Sequence, residues 1–189
     1  MASSFGPSAL ATPANAVTFA RLLCAPALWL LILAAAPSYV VLAIWIVLAA
    51  TDGVDGYLAR RHGTTRSGAF LDPLADKALV LGAMWALVAA DSFWWLPVAL
   101  ITVRELGISV FRSYWGRRGL AVPASTWAKV KTVVQAVAVG IALFPPVEDH
   151  PALATAALWV ATGLTLVTGV QYVLEGGRAT SAAGVRHAP

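Results

Sequence analysis

The stretch TDGVDGYLARRHGTTRSGAFLDPLADKALV, residues 51–80, decides how this chain is read. It leads out of one apolar run, YVVLAIWIVLAA (39–50), and into another, LVLGAMWALVAA (79–90). Between the two stand four aspartates, Asp52, Asp55, Asp72 and Asp76. Bare carboxylates at the edge of hydrocarbon repel one another and lose hydration. A single acid there is often a solvated helix end, but four at one depth call for a shared counter-charge.

Working outward, the composition sets the solvent. Of the 189 residues, 59% are hydrophobic and only 12% charged, and the mean hydropathy is +0.76. A soluble domain carries about 25% charged residues. An ordinary soluble domain is therefore excluded, and an all-α integral membrane protein is expected. No Lys or Arg precedes Arg21, so the N-terminus lacks the basic n-region of a signal peptide and is expected to be retained. The lone Cys24 can form no internal disulfide. A pI near 9.6 could suggest nucleic acid, but the placement of the charges argues otherwise, and no nucleic-acid partner is expected.

Crossing a bilayer as helix takes about 20 residues. On that basis six spans are predicted, over 16–36, 39–59, 68–90, 93–113, 127–144 and 152–174. The connections at 37–38, 91–92 and 145–151 hold no Lys or Arg. All 13 basic residues fall on the opposite side, which the positive-inside rule makes cytoplasmic, together with both termini. Trp94 and Trp95 suit the outer interface. Residues 1–15 read as a loose or surface-lying lead-in, 16–174 as one six-helix domain, and 175–189 as a disordered tail.

This topology makes the aspartates converge. Twelve apolar residues precede Asp52, and at the helical rise of about 1.5 Å per residue they span roughly 18–20 Å. From Ala90 back to Asp76 is roughly 21 Å by the same rise. The second and third spans run antiparallel, so both acidic segments reach one level near the cytoplasmic boundary. Asp52 and Asp55 are spaced i, i+3, and Asp72 and Asp76 i, i+4, so each pair shares a helix face. Oxygen-only ligands on rigid helices suit two divalent ions, Mg²⁺ or Mn²⁺, a device common in phosphoryl transfer. An EF-hand is excluded, because its twelfth position, counted from Asp52, is Gly63 rather than glutamate.

The pattern Asp52-x-x-Asp55-Gly56-x-x-Ala59-Arg60, then Gly68-x-x-x-Asp72-x-x-x-Asp76, resembles the signature of the CDP-alcohol phosphotransferases, with every fixed position present. The chain is further similar to the branch of that family that uses sn-glycerol 3-phosphate. That likeness rests on Asn15-x-x-Thr18-x-x-Arg21, on Arg104-Glu105, Ser109 and Arg112, and on Pro123-Ala124-Ser125 with Lys129-x-Lys131-Thr132-x-x-Gln135. It covers about 13–145 and departs from the branch at Trp127-Ala128, where Gly-Lys is expected.

The resemblance implies the CDP-alcohol phosphotransferase fold, a homodimer, and a bacterial plasma membrane with the active site facing the cytoplasm. It implies CDP-diacylglycerol as donor and sn-glycerol 3-phosphate as acceptor. Asp52, Asp55, Asp72 and Asp76 would hold metal, with Asp76 also taking the acceptor's proton. Asn15, Thr18, Asp52, Asp55, Gly56, Ala59, Arg60 and Gly68 would form the CDP site. Arg112, Lys129, Lys131 and Arg104, at the same level, are the cations expected to meet the acceptor phosphate. Inositol phosphate or phosphatidylglycerol as acceptor is the near alternative. A prenyltransferase would be longer and lack the signature. An ion transporter should carry polar groups along a whole path, whereas the outer halves of all six spans are apolar.

Overall fold

A computed structural model describes the backbone of residues 13–62, 66–117 and 126–185, and the side chains of 16, 18–51, 74–114 and 130–174. Six helices follow in order: α1 (Pro13–Ala35), α2 (Tyr39–His62), α3 (Arg66–Ala89), α4 (Trp95–Arg117), α5 (Thr126–Leu143) and α6 (Pro151–Val185). One 3-10 turn, Pro145–Val147, links the last two, and no strand occurs among the described residues. Each helix covers one of the six expected segments. At the ends where apolar sequence stops, expectation and structure agree within two residues.

At the other ends the helices run on. Hydropathy marks where charge begins, but Arg, Lys, Glu and Ala are good helix formers, so the backbone continues through them. The largest difference is in α6, which runs to Val185 through the segment expected to be a disordered tail. Ala179, Ala182 and Ala183 supply the helix propensity there. The lead-in likewise gives its last residues to α1, which opens on Pro13, a residue suited to the first helical turn.

Among the described residues two stretches are long and apolar enough to cross a membrane, Thr18–Ala35 and Pro151–Leu174, with hydropathies of 1.9 and 1.7. Only 28% and 39% of them is buried inside the molecule, unlike the core helix of a soluble fold. The apolar parts of α2 and α5, Tyr39–Thr51 and Val130–Leu143, are shorter.

The bundle has an apolar end and a polar end. At the apolar end Leu28, Ile32, Leu87, Val98 and Leu143 share one core cluster. Trp29 of α1 lies so close to α3 that a Cβ on Gly82 would come within 2.2 Å of its indole, so this crossing needs glycine. Trp45 Nε1 of α2 donates to the Ala136 carbonyl of α5 at 3.1 Å. The α3–α4 turn closes with Asp91 at φ 56°, a left-handed cap that aspartate tolerates. The Ser92 and Asp91 amides donate to Leu87 and Val88 carbonyls at 2.9 and 3.1 Å.

The α2–α3 hairpin carries a third helix against it. Among the described residues α1 packs on both of its arms, and the other partner of α2 is α5. Gly82 on α3 lets Trp29 of α1 approach closely. The described ends of the acidic stretch, Thr51 on α2 and Asp76 on α3, lie at one level against that third helix.

Candidate active site

Arg21 is where α1 meets that level. It lies near the middle of the chain's first apolar helix, yet it is only 1% exposed. Its Nη1 stands 3.6 Å from Asp76 Oδ1 on α3, and its Nε donates to Thr51 Oγ1 on α2 at 3.4 Å. Thr51 opens the acidic stretch and Asp76 is its last aspartate, so the two ends of that stretch meet on one guanidinium. Thr51 and Asp76 thus stand at one depth, while the side chains of the three other aspartates lie outside the described residues. Thr18, one turn before Arg21, is also buried.

Asp76 is partly open, with 30% of its side chain exposed, and it lines a cavity of about 200 Å³. Lys77 stands beside it. Arg104, Glu105, Ser109 and Arg112 come from α4, and Lys131, Thr132 and Gln135 from α5. Tyr172 of α6 completes the wall, packed edge-on against Phe111 at 6.1 Å between ring centres. Arg112 is exposed, whereas Lys131 and Glu105 are buried. The cavity therefore carries one open cation and a buried charged cluster.

Glu105 organises that cluster. Its Oε1 accepts from Arg104 Nη1 at 2.9 Å and is also held by Lys131 Nζ. Its backbone carbonyl accepts from Lys77 Nζ at 3.3 Å and from Ser109 Oγ at 2.8 Å, and Lys77 also bonds Ser109 Oγ. Arg104 Nη2 donates to Thr168 Oγ1 of α6 at 3.1 Å, and a Cβ on Gly169 would meet the Arg104 stem at 3.0 Å. Gln135 Nε2 donates to Thr165 Oγ1 at 2.8 Å, tying α5 to α6.

Of the four cations expected at the acceptor phosphate, Arg104, Arg112 and Lys131 line this one cavity with Asp76. Arg104 differs from expectation in posture, since its guanidinium is turned onto Glu105 and Thr168. The Lys129 side chain lies outside the described residues, as do those of Asn15, Asp52, Asp55, Gly56, Ala59, Arg60, Gly68 and Asp72. Their backbone positions lie on α1, α2, α3 and α5, with 52 and 55 one turn apart on α2 and 72 and 76 one turn apart on α3. Among the described residues no group of three metal-ligating side chains occurs, Asp76 being the one aspartate of the four that they include.

Reading the sequence gave Arg21 only a place in a motif, and Glu105 only a place beside Arg104. The available signal was burial cost. A charge inside an apolar helix is expensive and marks a functional contact, and Arg21 is the sole charge in its helix.

A family model for CDP-alcohol phosphatidyltransferases matches residues 11–167. The chain belongs to that family. It is accordingly a transferase, and the matched span holds all four aspartates and the whole described cavity wall except Tyr172. The chain is 39% identical over 175 residues to a "Probable phosphatidylglycerophosphate synthase" of Mycobacterium tuberculosis, covering 89% of this chain and 83% of that one. It is 42% identical over 137 residues to a CDP-diacylglycerol–glycerol-3-phosphate 3-phosphatidyltransferase of Sodalis glossinidius, covering 69% and 74%. An Escherichia coli (strain K12) protein of the same name is 42% identical over 135 residues, with the same coverage.

Proposed function

We propose that this CDP-alcohol phosphatidyltransferase moves the phosphatidyl group of CDP-diacylglycerol onto sn-glycerol 3-phosphate, giving phosphatidylglycerol phosphate and CMP. The observation that carries this reading is the cavity in which Asp76 shares a wall with Lys77, Arg112 and Lys131. A reactive carboxylate beside a basic pocket suits an acceptor that brings a hydroxyl and a phosphate together. The names of the relatives point to the same pair of substrates.

In this mechanism the primary hydroxyl of glycerol 3-phosphate attacks the lipid-side phosphorus. Its proton passes to an Asp76 oxygen, and the bond from that phosphorus to the bridging oxygen breaks. CMP departs with the electron pair. An aspartate is a weak base, but loose phosphoryl transition states need positioning and charge neutralisation more than strong deprotonation. Arg21 holds Asp76 in place from behind, while Arg112 and Lys131 hold the acceptor phosphate, Arg112 with the fork geometry that suits it.

The donor set fits hard divalent metal. Asp76 presents a partly open carboxylate to the cavity, and the other three acids lie at helical positions of α2 and α3. Asp52, Asp55, Asp72 and Asp76 would hold two ions, Mg²⁺ or Mn²⁺, which when bound supply neutralising charge for the diphosphate and the departing CMP. Gly56 and Ala59 would keep the nucleotide wall shallow, Arg60 would supply a cation for phosphate, and Asn15, Thr18 and Gly68 would close the site.

The six helices cross a bacterial plasma membrane, with both termini and the cavity on the cytoplasmic side, as a homodimer. The exterior supports a lipid surround: Leu23, Val103 and Val110 are 78%, 73% and 69% exposed, while Arg21, Glu105 and Lys131 are buried. A cysteine introduced at Ser92 is expected to label only from outside, and one at Thr65 only from inside. Labelling of both from one side would overturn this topology.

The activity is tested by radiolabelled CMP release from CDP-diacylglycerol in detergent, with a panel of acceptors and with or without chelator. Glycerol 3-phosphate is expected to be the best acceptor, and chelator to stop release. Preference for inositol phosphate or phosphatidylglycerol would replace the acceptor, and chelator-independent release would remove the metal.

A further inference from the structure

Three cations gather on one residue of the cavity wall. Lys131 and Arg104 both touch the Glu105 carboxylate, and Lys77 touches the carbonyl of the same residue. Asp76, the other acid of the wall, faces Arg21. Glu105 is only 6% exposed and its Oε1 is held by two cations from within the protein, which suits a supporting task. With Glu105 ionised, Lys77, Arg104 and Lys131 leave this part of the wall with two net positive charges. Without it they would leave three, and two of the cations would lose their anchor.

We propose that Glu105 is a positioning and selectivity residue, an internal counter-anion that fixes Lys131 and Arg104 and trims the wall to the charge of a single phosphate group. This rests on the reading of the cavity as the acceptor-phosphate site. The contact with the Glu105 carboxylate, itself held by Arg104, fixes where Lys131 Nζ stands, a cation whose stem is otherwise flexible. Arg104, fastened also to Thr168 and packed on Gly169, makes α6 the support of that carboxylate. Charge trimming disfavours anions more highly charged than the acceptor, including the diphosphate of the donor, from settling in the acceptor cavity. The same residue thus orders the pocket and weakens its attraction for any anion that reaches it.

The test is direct binding of inorganic phosphate to purified full-length protein in detergent, followed by calorimetry, alongside turnover with glycerol 3-phosphate. Glu105→Gln is expected to bind phosphate roughly tenfold more tightly, about 1.4 kcal/mol. Its kcat with glycerol 3-phosphate is expected to fall, because Lys131 and Arg104 are no longer held. Glu105→Asp keeps the charge, so its phosphate affinity should stay near that of the wild type while its kcat falls. A purely structural glutamate would weaken phosphate binding in both variants together, and that result overturns the proposal. Should Glu105→Gln fail to fold, Lys131→Gln and the double variant Glu105→Gln/Lys131→Gln decide the matter. Lys131→Gln should weaken phosphate binding, and the double variant should restore it toward the wild-type value. Absence of restoration overturns the proposal. If the wild type binds phosphate but does not use glycerol 3-phosphate, the acceptor assignment fails while the role of Glu105 still stands or falls on the binding data.

Discussion

Along α3, Ala83, Met84 and Leu87 meet their neighbours as hydrocarbon, buried in a cluster with Leu28, Ile32, Val98 and Leu143. About two turns away on the same helix, Asp76 and Lys77 meet theirs as charge, through Arg21, Ser109 and the Glu105 carbonyl. The first arrangement is tolerant in kind and strict in volume, because close-packed interiors feel each added carbon. The second is strict in kind, because removing one member leaves its partner charged and unpaired in a poorly solvated place. The lesson is that one helix serves as a packing element at one end and as a chemical element at the other. Mutations should therefore fail in different ways at the two ends.

The sharpest break is at Asp76. Asp76→Asn keeps the size of the side chain and removes its basicity. Turnover is expected to fall by roughly 10²–10⁴-fold, the usual worth of acid–base catalysis. CDP-diacylglycerol binding, measured separately, should be largely kept. Near-normal turnover would show that Asp76 is not the base.

Next comes the residue behind it. Arg21→Met removes the only described contact that joins the acidic ends of α2 and α3. Partners that orient a reactive carboxylate are typically worth roughly 10–100-fold in metal affinity or activity. The expected outcome is a loss in that range, with a higher metal concentration needed for half-maximal activity. Arg21→Lys should recover part of it. Equal metal dependence in the wild type and Arg21→Met would reduce Arg21 to a packing residue.

These two differ in how far they could be seen in the sequence. Asp76 was legible because its spacing from Asp72 and its distance from Ala90 are counts along a helix. The six helices were legible for the same reason, since apolar length fixes them. The role of α1 between the arms of the hairpin was not, because inter-helix packing depends on shape, such as the fit of Trp29 on Gly82. Nor was Glu105 as the hub of Lys131, Arg104 and Lys77, because those groups come from three helices and no spacing ties Lys77 or Lys131 to Glu105. The posture of Arg104 follows from that same hub. The helical tail to Val185 was missed because low hydropathy and loss of helix are different things.

At the apolar end the expected effects are smaller and fall on stability. Gly82→Ala places a methyl group 2.2 Å from the Trp29 ring, which must move into a packed neighbourhood. Overpacking of this kind costs about 1–3 kcal/mol. The thermal midpoint in detergent should drop while activity per folded molecule, read at low temperature, stays near normal. A variant that is stable but inactive would mean that the α1–α3 crossing is coupled to the site, and the division between the two ends would not hold.

The smallest effect tests whether the polar end is held by hydrogen bonds or merely tolerates them. Gln135 and Thr165 bond to each other at 2.8 Å, and both are buried, at 2% and 0% exposure. Thr165→Val keeps the shape and removes the acceptor, so the Gln135 amide is left without that partner. Bonds of this kind between helices in a bilayer are worth about 0.6 kcal/mol on average, with a maximum near 1.7. Replacing both partners by apolar groups of similar shape can be nearly neutral, because no donor is stranded. Thr165→Val alone is therefore expected to lower stability by about 1 kcal/mol, and Gln135→Leu/Thr165→Val to regain most of it, so the double-mutant cycle shows a coupling of that order. Gln135 also lines the cavity, so the double variant should regain stability without regaining acceptor affinity. If instead the two substitutions add independently, the α5–α6 contact is held by packing alone. The two ends of the bundle would then differ only around Arg21 and Glu105.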